Sequence, residues 1–212
     1  MKLKQHLEIG NAVLQSNVLD MVNINSTAFL LGNIAPDLNC VYPAHRLKTT
    51  EKRLYKRLRL AEKAEISVVK SFMLGVVTHY ICDYFCYAHN IESLGVPHKK
   101  YETNLYNYYE AHIDEVNAEH KNLEELWVKA KAGSIKKYLG DGCMDTDLHC
   151  EFLVNQIKYM NDKYMNSSND SEKVDWTSNS SQIKKDLEYA AFMIRHILTL
   201  TVEPFKCFVG DY

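Results

Sequence analysis

The fold is decided by residues 65–89, which read EISVVKSFMLGVVTHYICDYFCYAH. This stretch contains no Pro and only one Gly, Gly75, and its apolar residues recur at the spacing of a helix. A more strongly charged segment begins at about Glu51 and leads into it. The sequence therefore predicts a charged helix followed by one long buried helix from Glu65 to His89.

The rest of the chain shows the same helical spacing, and few segments alternate apolar and polar residues as β-hairpins would. Further helices are predicted at residues 8–24, 99–132, 147–164 and 180–203. Gly32 and Pro36 predict a loop over Gly32–Asn39, and the Ser- and Asn-rich segment Asn166–Ser181 predicts another. We therefore predict an all-α, multi-helix bundle that forms a single domain over residues 1–212.

Composition excludes several classes of protein. With 46% hydrophobic and 25% charged residues, 8 Gly and 4 Pro, the chain is neither disordered nor fibrous. A net charge of -2 provides no basic field for nucleic acid, so we expect no nucleic-acid partner. The apolar runs are too short for a membrane span, and the N-terminus has no apolar core of a secretory signal. We expect a soluble, cytoplasmic protein without a transmembrane segment.

The six Cys residues show no CxxC pairs, and without a secretory signal they are predicted to be reduced thiols. Cys82 and Cys86 flank a candidate metal ligand and have the spacing of one helical turn. They are either zinc thiolates or two small buried side chains on one helix face, and we favour the buried interpretation.

Histidines and acidic residues recur at metal-binding spacing. His79 and Asp83 are four residues apart, so both side chains leave one helix face and can bind one ion. His89 lies ten residues beyond His79, about 80° around a continuous helix, which suits a second ion beside the first. His98 and Glu102 repeat the spacing of four.

Chance explains part of this pattern. The composition predicts about one His-x-x-x-acid pair by chance, and the chain has three. We interpret the third pair, His120 and Glu124, as accidental, on a solvated helix face. Any single histidine is better explained as an ordinary core or surface residue, so the metal-site prediction rests on the whole set.

That set resembles the bacterial zinc-dependent phospholipase C family. The resemblance is carried by Phe72-Met-Leu-Gly75-Val-Val-Thr-His79-Tyr80-Ile-Cys-Asp83, then His89, then His98-Lys-Lys-Tyr101-Glu102. His6 with Gly10, and the Gly32–Asn39 segment with Asp37, resemble the family's earlier ligand segments. The resemblance covers the first half of the chain, and the helical remainder fits the family's fold without carrying a motif.

The resemblance implies two to three zinc ions. The first would be held by Asp37, His45, His79 and Asp83, the second by His89, His98 and Glu102, and the third by His6, Asp83 and the terminal amine and carbonyl of Met1. The gap between Asp37 and His45 is shorter than in the family, so Tyr42 or water is an alternative to His45. Met1 would replace the family's terminal tryptophan, and we expect the chain to lack the membrane-binding domain of some members.

The function that the resemblance implies is hydrolysis of a phosphodiester, in a phospholipid or a small molecule, by water that the zinc ions activate. Asp37 would orient or deprotonate this water. The alternatives are a P1-type single-strand nuclease, whose last ligand is usually Asp where Glu102 stands, and a zinc-binding module without catalysis. Nearby aromatic residues are interpreted as core or, less favoured, as a cage for a quaternary ammonium group. They are Tyr80, Tyr84, Phe85, Tyr87, Tyr101, Tyr106, Tyr108 and Tyr109.

Overall fold

The computed structural model of the chain describes residues 3–16, 19, 23–38, 46–91, 95–116, 121–138, 145–167 and 176–202. Within these ranges the regular structure is helical and contains no strand, which confirms the predicted all-α class. The helices are α1 (Leu3–Gln15), α2 (Ser26–Leu38), α3 (Leu47–Lys63), α4 (Ser67–Tyr84), α5 (Tyr87–Asn90), α6 (Val96–Ala111), α7 (Ile113–Val116), α8 (Lys121–Tyr138), α9 (Thr146–Asn166) and α10 (Ser180–Val202), with a 3-10 helix at Trp176–Ser178.

Helix α4 is the centre of the bundle. Every residue from Leu74 to Tyr84 is buried, because α1, α2, α3 and α10 all pack against this helix. Outside this inner layer, α9 packs on α3 and α8, and α10 also packs on α6. Apolar residues all round α4 make this burial favourable, and they leave Thr78, His79 and Asp83 as polar groups in the interior.

Helix α2 occupies the segment that the sequence predicted as the Gly32–Asn39 loop, and that prediction is wrong as far as Leu38. Asn25 caps the helix start, since its side-chain oxygen accepts a hydrogen bond of 2.8 Å from the Ala28 N–H. Gly32 is needed for packing, because a Cβ there would lie 2.0 Å from the backbone oxygen of Phe72. Pro36 is buried in the last turn. Tertiary packing therefore overrides two residues that usually signal a loop.

The other helix boundaries agree with the sequence to different degrees. Helices α9 and α10 lie where residues 147–164 and 180–203 predicted them, whereas α1 begins and ends earlier than 8–24. The stretch 99–132 is divided into α6, α7 and α8, with a bend at His112. Within the described residues, no helix combines the length and the apolar character that a membrane crossing requires.

Candidate metal centre

Three helices bring four predicted ligands together. The first ligand group consists of His6 on α1, Asp37 at the end of α2, and His79 and Asp83 on α4, with donor atoms within 4.8 Å of one another. His79 Nε2 lies 3.2 Å from Asp83 Oδ2, and His6 Nε2 lies 3.4 Å from Asp83 Oδ1. Asp37 is 3.7 Å from His79 and 3.8 Å from His6 through its two oxygens. All members except Asp37 are fully buried, and the side chain of Asp37 is 26% exposed.

Close contact between α2 and α4 positions this group. A Cβ on Gly75 would lie 2.0 Å from the backbone oxygen of Phe29, so the two backbones touch at this point. One turn farther along, the backbone oxygen of Asn33 lies 2.8 Å from Nδ1 of His79. A carbonyl oxygen only accepts hydrogen bonds, so Nδ1 donates to it and Nε2 is the ring nitrogen that faces the carboxylates.

Asn33 links this contact to α1. Its side-chain amide donates to the backbone oxygen of His6, and the His6 and His79 rings stack with centroids 3.9 Å apart. Sequence reasoning missed Asn33 because its segment was predicted to be a loop. A polar residue next to Gly32 in an otherwise apolar helix, four residues before Asp37, is the signal that could have identified it.

The second ligand group consists of His89 on α5 and His98 and Glu102 on α6. Glu102 Oε1 lies 3.1 Å from Nε2 of His98 and 3.5 Å from Nε2 of His89. Gly95, with φ 75°, precedes α6 and adopts a left-handed conformation that favours glycine. The chain therefore turns into α6 just before His98, and the helix then places His98 and Glu102 one turn apart on one face.

Asp83 joins the two groups. Its Oδ1 atom lies 3.4 Å from His6 Nε2 in the first group and 3.7 Å from His89 Nε2 in the second. One buried carboxylate therefore faces ligands from both groups.

This contact depends on a break between α4 and α5, and the predicted continuous helix from Glu65 to His89 is wrong. In a continuous helix His89 would lie about 9 Å along the axis from Asp83 and about 120° around it. Instead α4 ends at Tyr84, whose backbone oxygen accepts hydrogen bonds from the amides of Asn90 (2.8 Å) and Asn161 (2.6 Å). These two amides satisfy the last backbone carbonyl of α4, which has no partner within the helix. The chain then turns, and His89 comes within reach of Asp83.

Burial and hydrogen bonds set the protonation of His6, His89 and Glu102. Burial lowers the pKa of His6, which the neighbouring His79 lowers further, and it also lowers the pKa of His89. Both rings are thus neutral near pH 7, the form in which imidazole binds a metal. Burial acts to raise the pKa of Glu102, but hydrogen bonds with His89 and His98 outweigh it and hold that pKa well below its usual range. Glu102 is therefore ionised.

The residues fit a zinc site. Two ligands bound at about 2.1 Å to a tetrahedral ion lie about 3.4 Å apart, and the contacts of the first ligand group run from 3.2 to 3.8 Å. In the described part of the chain, neither ring nitrogen of the buried His6 has a hydrogen-bond partner. Buried polar groups usually have one, and a cation between Nε2 and the two carboxylates would supply it.

Several residues predicted from the sequence do not join either ligand group in the structure or lie outside the residues that it describes. Met1, His45 and the alternative ligand Tyr42 lie outside the described residues, as does His120, whereas Glu124 contacts His196 at 3.3 Å. The structure brings His6 into one group with Asp37, so the division of this group between two ions stays a prediction. The candidate metal groups among the described residues contain no Cys, and Cys82 and Cys86 are buried in the core, as favoured from the sequence.

The aromatic residues near the site belong mainly to the core. Those that are buried are Tyr80, Tyr84, Phe85, Tyr87, Tyr101 and Tyr109. Tyr106 and Tyr108 are partly exposed, and Tyr106 bonds to Glu8 and Glu110. The favoured core interpretation therefore holds for most of the set.

Comparison with known proteins agrees with this centre. The family described as zinc dependent phospholipase C matches residues 5–190, a span that includes both ligand groups. Neither a curated protein nor a solved structure is significantly similar to the chain. Because the family match covers most of the 212 residues, the chain belongs to the zinc-dependent phospholipase C family.

Proposed function

We propose that the chain is a phosphodiester hydrolase that binds two to three zinc ions and cleaves a phospholipid or a small phosphodiester on the glycerol side of the phosphate. The observation that carries this proposal is the position of Asp83, 3.4 Å from His6 and 3.7 Å from His89. A carboxylate shared between two ligand groups suits neighbouring ions, as phosphoryl transfer by clustered metals requires.

Most residues of the two ligand groups would bind zinc, and Asp37 would act on the attacking water. His6, His79 and Asp83 are fully buried and would hold ions, with His89, His98 and Glu102 holding another. When bound, zinc lowers the pKa of a coordinated water and neutralises charge on the phosphoryl oxygens and the leaving group. Asp37 is the most exposed carboxylate of the two groups, at 26%, and would orient the attacking water or take its proton.

Zinc content tests the metal part of this proposal. We expect purified protein, dialysed against zinc-free buffer, to retain two to three ions per chain by elemental analysis. A value of one or less would contradict a cluster built from both ligand groups.

A substrate panel tests the chemistry. Phosphatidylcholine in mixed micelles, a nitrophenyl phosphodiester and single-stranded DNA are offered to the native chain and to Asp83→Asn. We expect diacylglycerol and a phosphorylated head group from the lipid, lost on zinc chelation and in the variant. Faster cleavage of DNA would favour the P1-type nuclease, and retained zinc without any hydrolysis would favour the zinc-binding module.

A further inference from the structure

Asp186 on α10 lies in the core and accepts hydrogen bonds from four donors. Its side chain is fully buried. The bonds come from the backbone N–H of Tyr87 at 2.7 Å, the hydroxyl of Tyr101 at 2.7 Å, the hydroxyl of Tyr164 at 2.6 Å and the side-chain amide of Gln182 at 2.7 Å. All four of these donors are uncharged groups, so the carboxylate is stabilised by neutral hydrogen-bond donors within the described part of the chain.

An ionised carboxylate suits this arrangement better than any other side chain of its size. It only accepts hydrogen bonds, and each of its oxygens here accepts two. An amide in the same place would have one oxygen and one NH₂ group, so it would direct donors at two of the four partners. Asp186→Asn therefore removes two hydrogen bonds without changing the volume of the side chain.

The two oxygens of Asp186 serve different parts of the molecule. Oδ2 binds the first residue of α5, Tyr87, and the α6 residue Tyr101. Oδ1 binds Tyr164 on α9 and Gln182 on α10, two helices that carry no predicted ligand. One oxygen thus joins the two helices that carry the second ligand group, while the other anchors the carboxylate in the bundle.

These contacts are close in sequence to the ligands. Tyr87 lies two residues before His89, and Tyr101 immediately precedes Glu102. The break after Tyr84 allows this arrangement, because the Tyr87 N–H begins a new helix and bonds to Asp186. Oδ2 of Asp186 therefore fixes α5 against α6 beside the 3.5 Å contact between His89 and Glu102.

We propose that Asp186 is a positioning residue that sets the geometry of the second ligand group and thereby its affinity for metal. This inference rests on the proposed zinc cluster. Asp186 touches neither ion nor substrate in this account, and it acts through Tyr87 and Tyr101. Partners that orient metal ligands typically contribute about 10- to 100-fold to affinity, and we expect about tenfold here because the effect passes through neighbouring residues.

The first experiment measures metal affinity in Asp186→Asn. Native and variant proteins are loaded with zinc and titrated with a chelator, and cobalt(II) is substituted in parallel so that its absorption reports the ligand geometry. His98→Ala serves as reference, because it removes one member of the second ligand group directly. We expect Asp186→Asn to lose one ion at about tenfold lower chelator concentration, with the cobalt bands that change matching those lost in His98→Ala.

A matched pair of tyrosine variants separates positioning from general stability. Tyr101→Phe and Tyr164→Phe each delete one hydroxyl bonded to Asp186, and both side chains are fully buried. We expect similar losses of unfolding stability, measured with urea in zinc-free protein. Only Tyr101→Phe, on the ligand-bearing side, should weaken metal binding and shift the cobalt bands. This pair decides the question even where Asp186→Asn fails to fold.

The outcomes are distinct. Equal zinc affinity in native protein and Asp186→Asn, or equal effects of the two tyrosine variants on metal binding, would overturn the positioning role. Native protein that binds fewer than two zinc ions would instead contradict the proposed function on which this role rests.

Discussion

The first and second ligand groups are held by different kinds of structure. The first lies where continuous helices touch, with Gly75 allowing α2 to approach α4 and Asn33 orienting His79. The second lies beyond the end of α4, where side chains from α9 and α10, Asn161 and Asp186, bond to the backbone around the break. The contacts of Asn33 that support the first group join residues 27 and 46 positions apart, whereas those that support the second join residues 77 and 99 positions apart. The two groups should therefore fail separately under mutation, except at Asp83.

Asp83→Asn should have the largest effect because it acts on both groups. Its carboxylate contacts His6, His79 and His89, so the amide would weaken both groups at once. We expect phosphodiesterase activity to fall by about a thousandfold or more, since metal-ion catalysis contributes several kcal/mol and each 1.4 kcal/mol is tenfold. Zinc content should fall by at least one ion.

Asp37→Asn is the matched control for that variant, because it makes the same chemical change in a partly exposed carboxylate that belongs to the first group alone. It should lose less zinc than Asp83→Asn. Full zinc content and activity in Asp83→Asn would show that this carboxylate does not join the groups.

Gly75→Ala should damage the first group through packing. The new Cβ would meet the backbone oxygen of Phe29 at 2.0 Å, and backbone atoms there have little room to move. We expect a loss of unfolding free energy of about 3 kcal/mol or more, at the upper end of overpacking effects. Urea unfolding of the zinc-free protein measures it.

Gly10→Ala provides the comparison, since its Cβ would meet the ends of the Asn33 and Leu30 side chains at 2.6 and 3.0 Å. Side chains can shift, so this variant should lose less stability than Gly75→Ala. A smaller loss for Gly75→Ala would mean that the contact between α2 and α4 is looser than described.

Asp186 should make stability depend on pH. Burial raises its pKa from 3.8 to about 6, against the opposing effect of hydrogen bonds from Tyr164, Tyr87, Tyr101 and Gln182. The folded chain therefore holds a proton on Asp186 between pH 4 and 6 that the unfolded chain releases. Its contribution to stability is fully present below pH 4 and is lost as the pH rises through 6.

This shift corresponds to about 3 kcal/mol. The unfolding free energy of native protein minus that of Asp186→Asn should therefore decrease by up to about 3 kcal/mol between pH 4 and 7. Both proteins are measured without zinc, so that protonation of the metal ligands is common to them. A difference that stays constant or grows with pH would contradict the raised pKa.

Asn161→Ala should have the smallest effect and should act on the second group. The variant removes the 2.6 Å hydrogen bond to the backbone oxygen of Tyr84, which retains the bond from Asn90. We expect a loss of about 1–2 kcal/mol in unfolding free energy and weaker binding of one zinc ion. Asn166→Ala, at an exposed position of the same helix, should change neither quantity. If the two variants had the same stability and zinc affinity, Asn161 would not stabilise the break between α4 and α5.

The sequence predicted the parts of this molecule that depend on local spacing. The all-α class and helices α9 and α10 follow from apolar periodicity, and the pairing of His79 with Asp83 and of His98 with Glu102 follows from helical geometry. These features depend on residues within one or two turns of each other, which a sequence displays directly.

The parts that were missed depend on distant contacts. Pro36 indicated a loop because proline is uncommon inside helices, but α2 packs against α4, whose residues are distant in sequence. The break after Tyr84 was not visible in the local sequence because it depends on Asn161 of α9 and Asp186 of α10. The angle calculated for His89 assumed a continuous helix and so could not give its contact with Asp83. The family resemblance, rather than helical spacing, predicted His6 and Asp37, which the structure places beside His79 and Asp83.

The most direct test of the two-group centre is a crystal of the zinc-loaded protein measured on both sides of the zinc absorption edge. We expect anomalous peaks within the first ligand group and within the second, on either side of Asp83. Peaks elsewhere, or a single peak at only one of the groups at full zinc loading, would contradict the two-group centre.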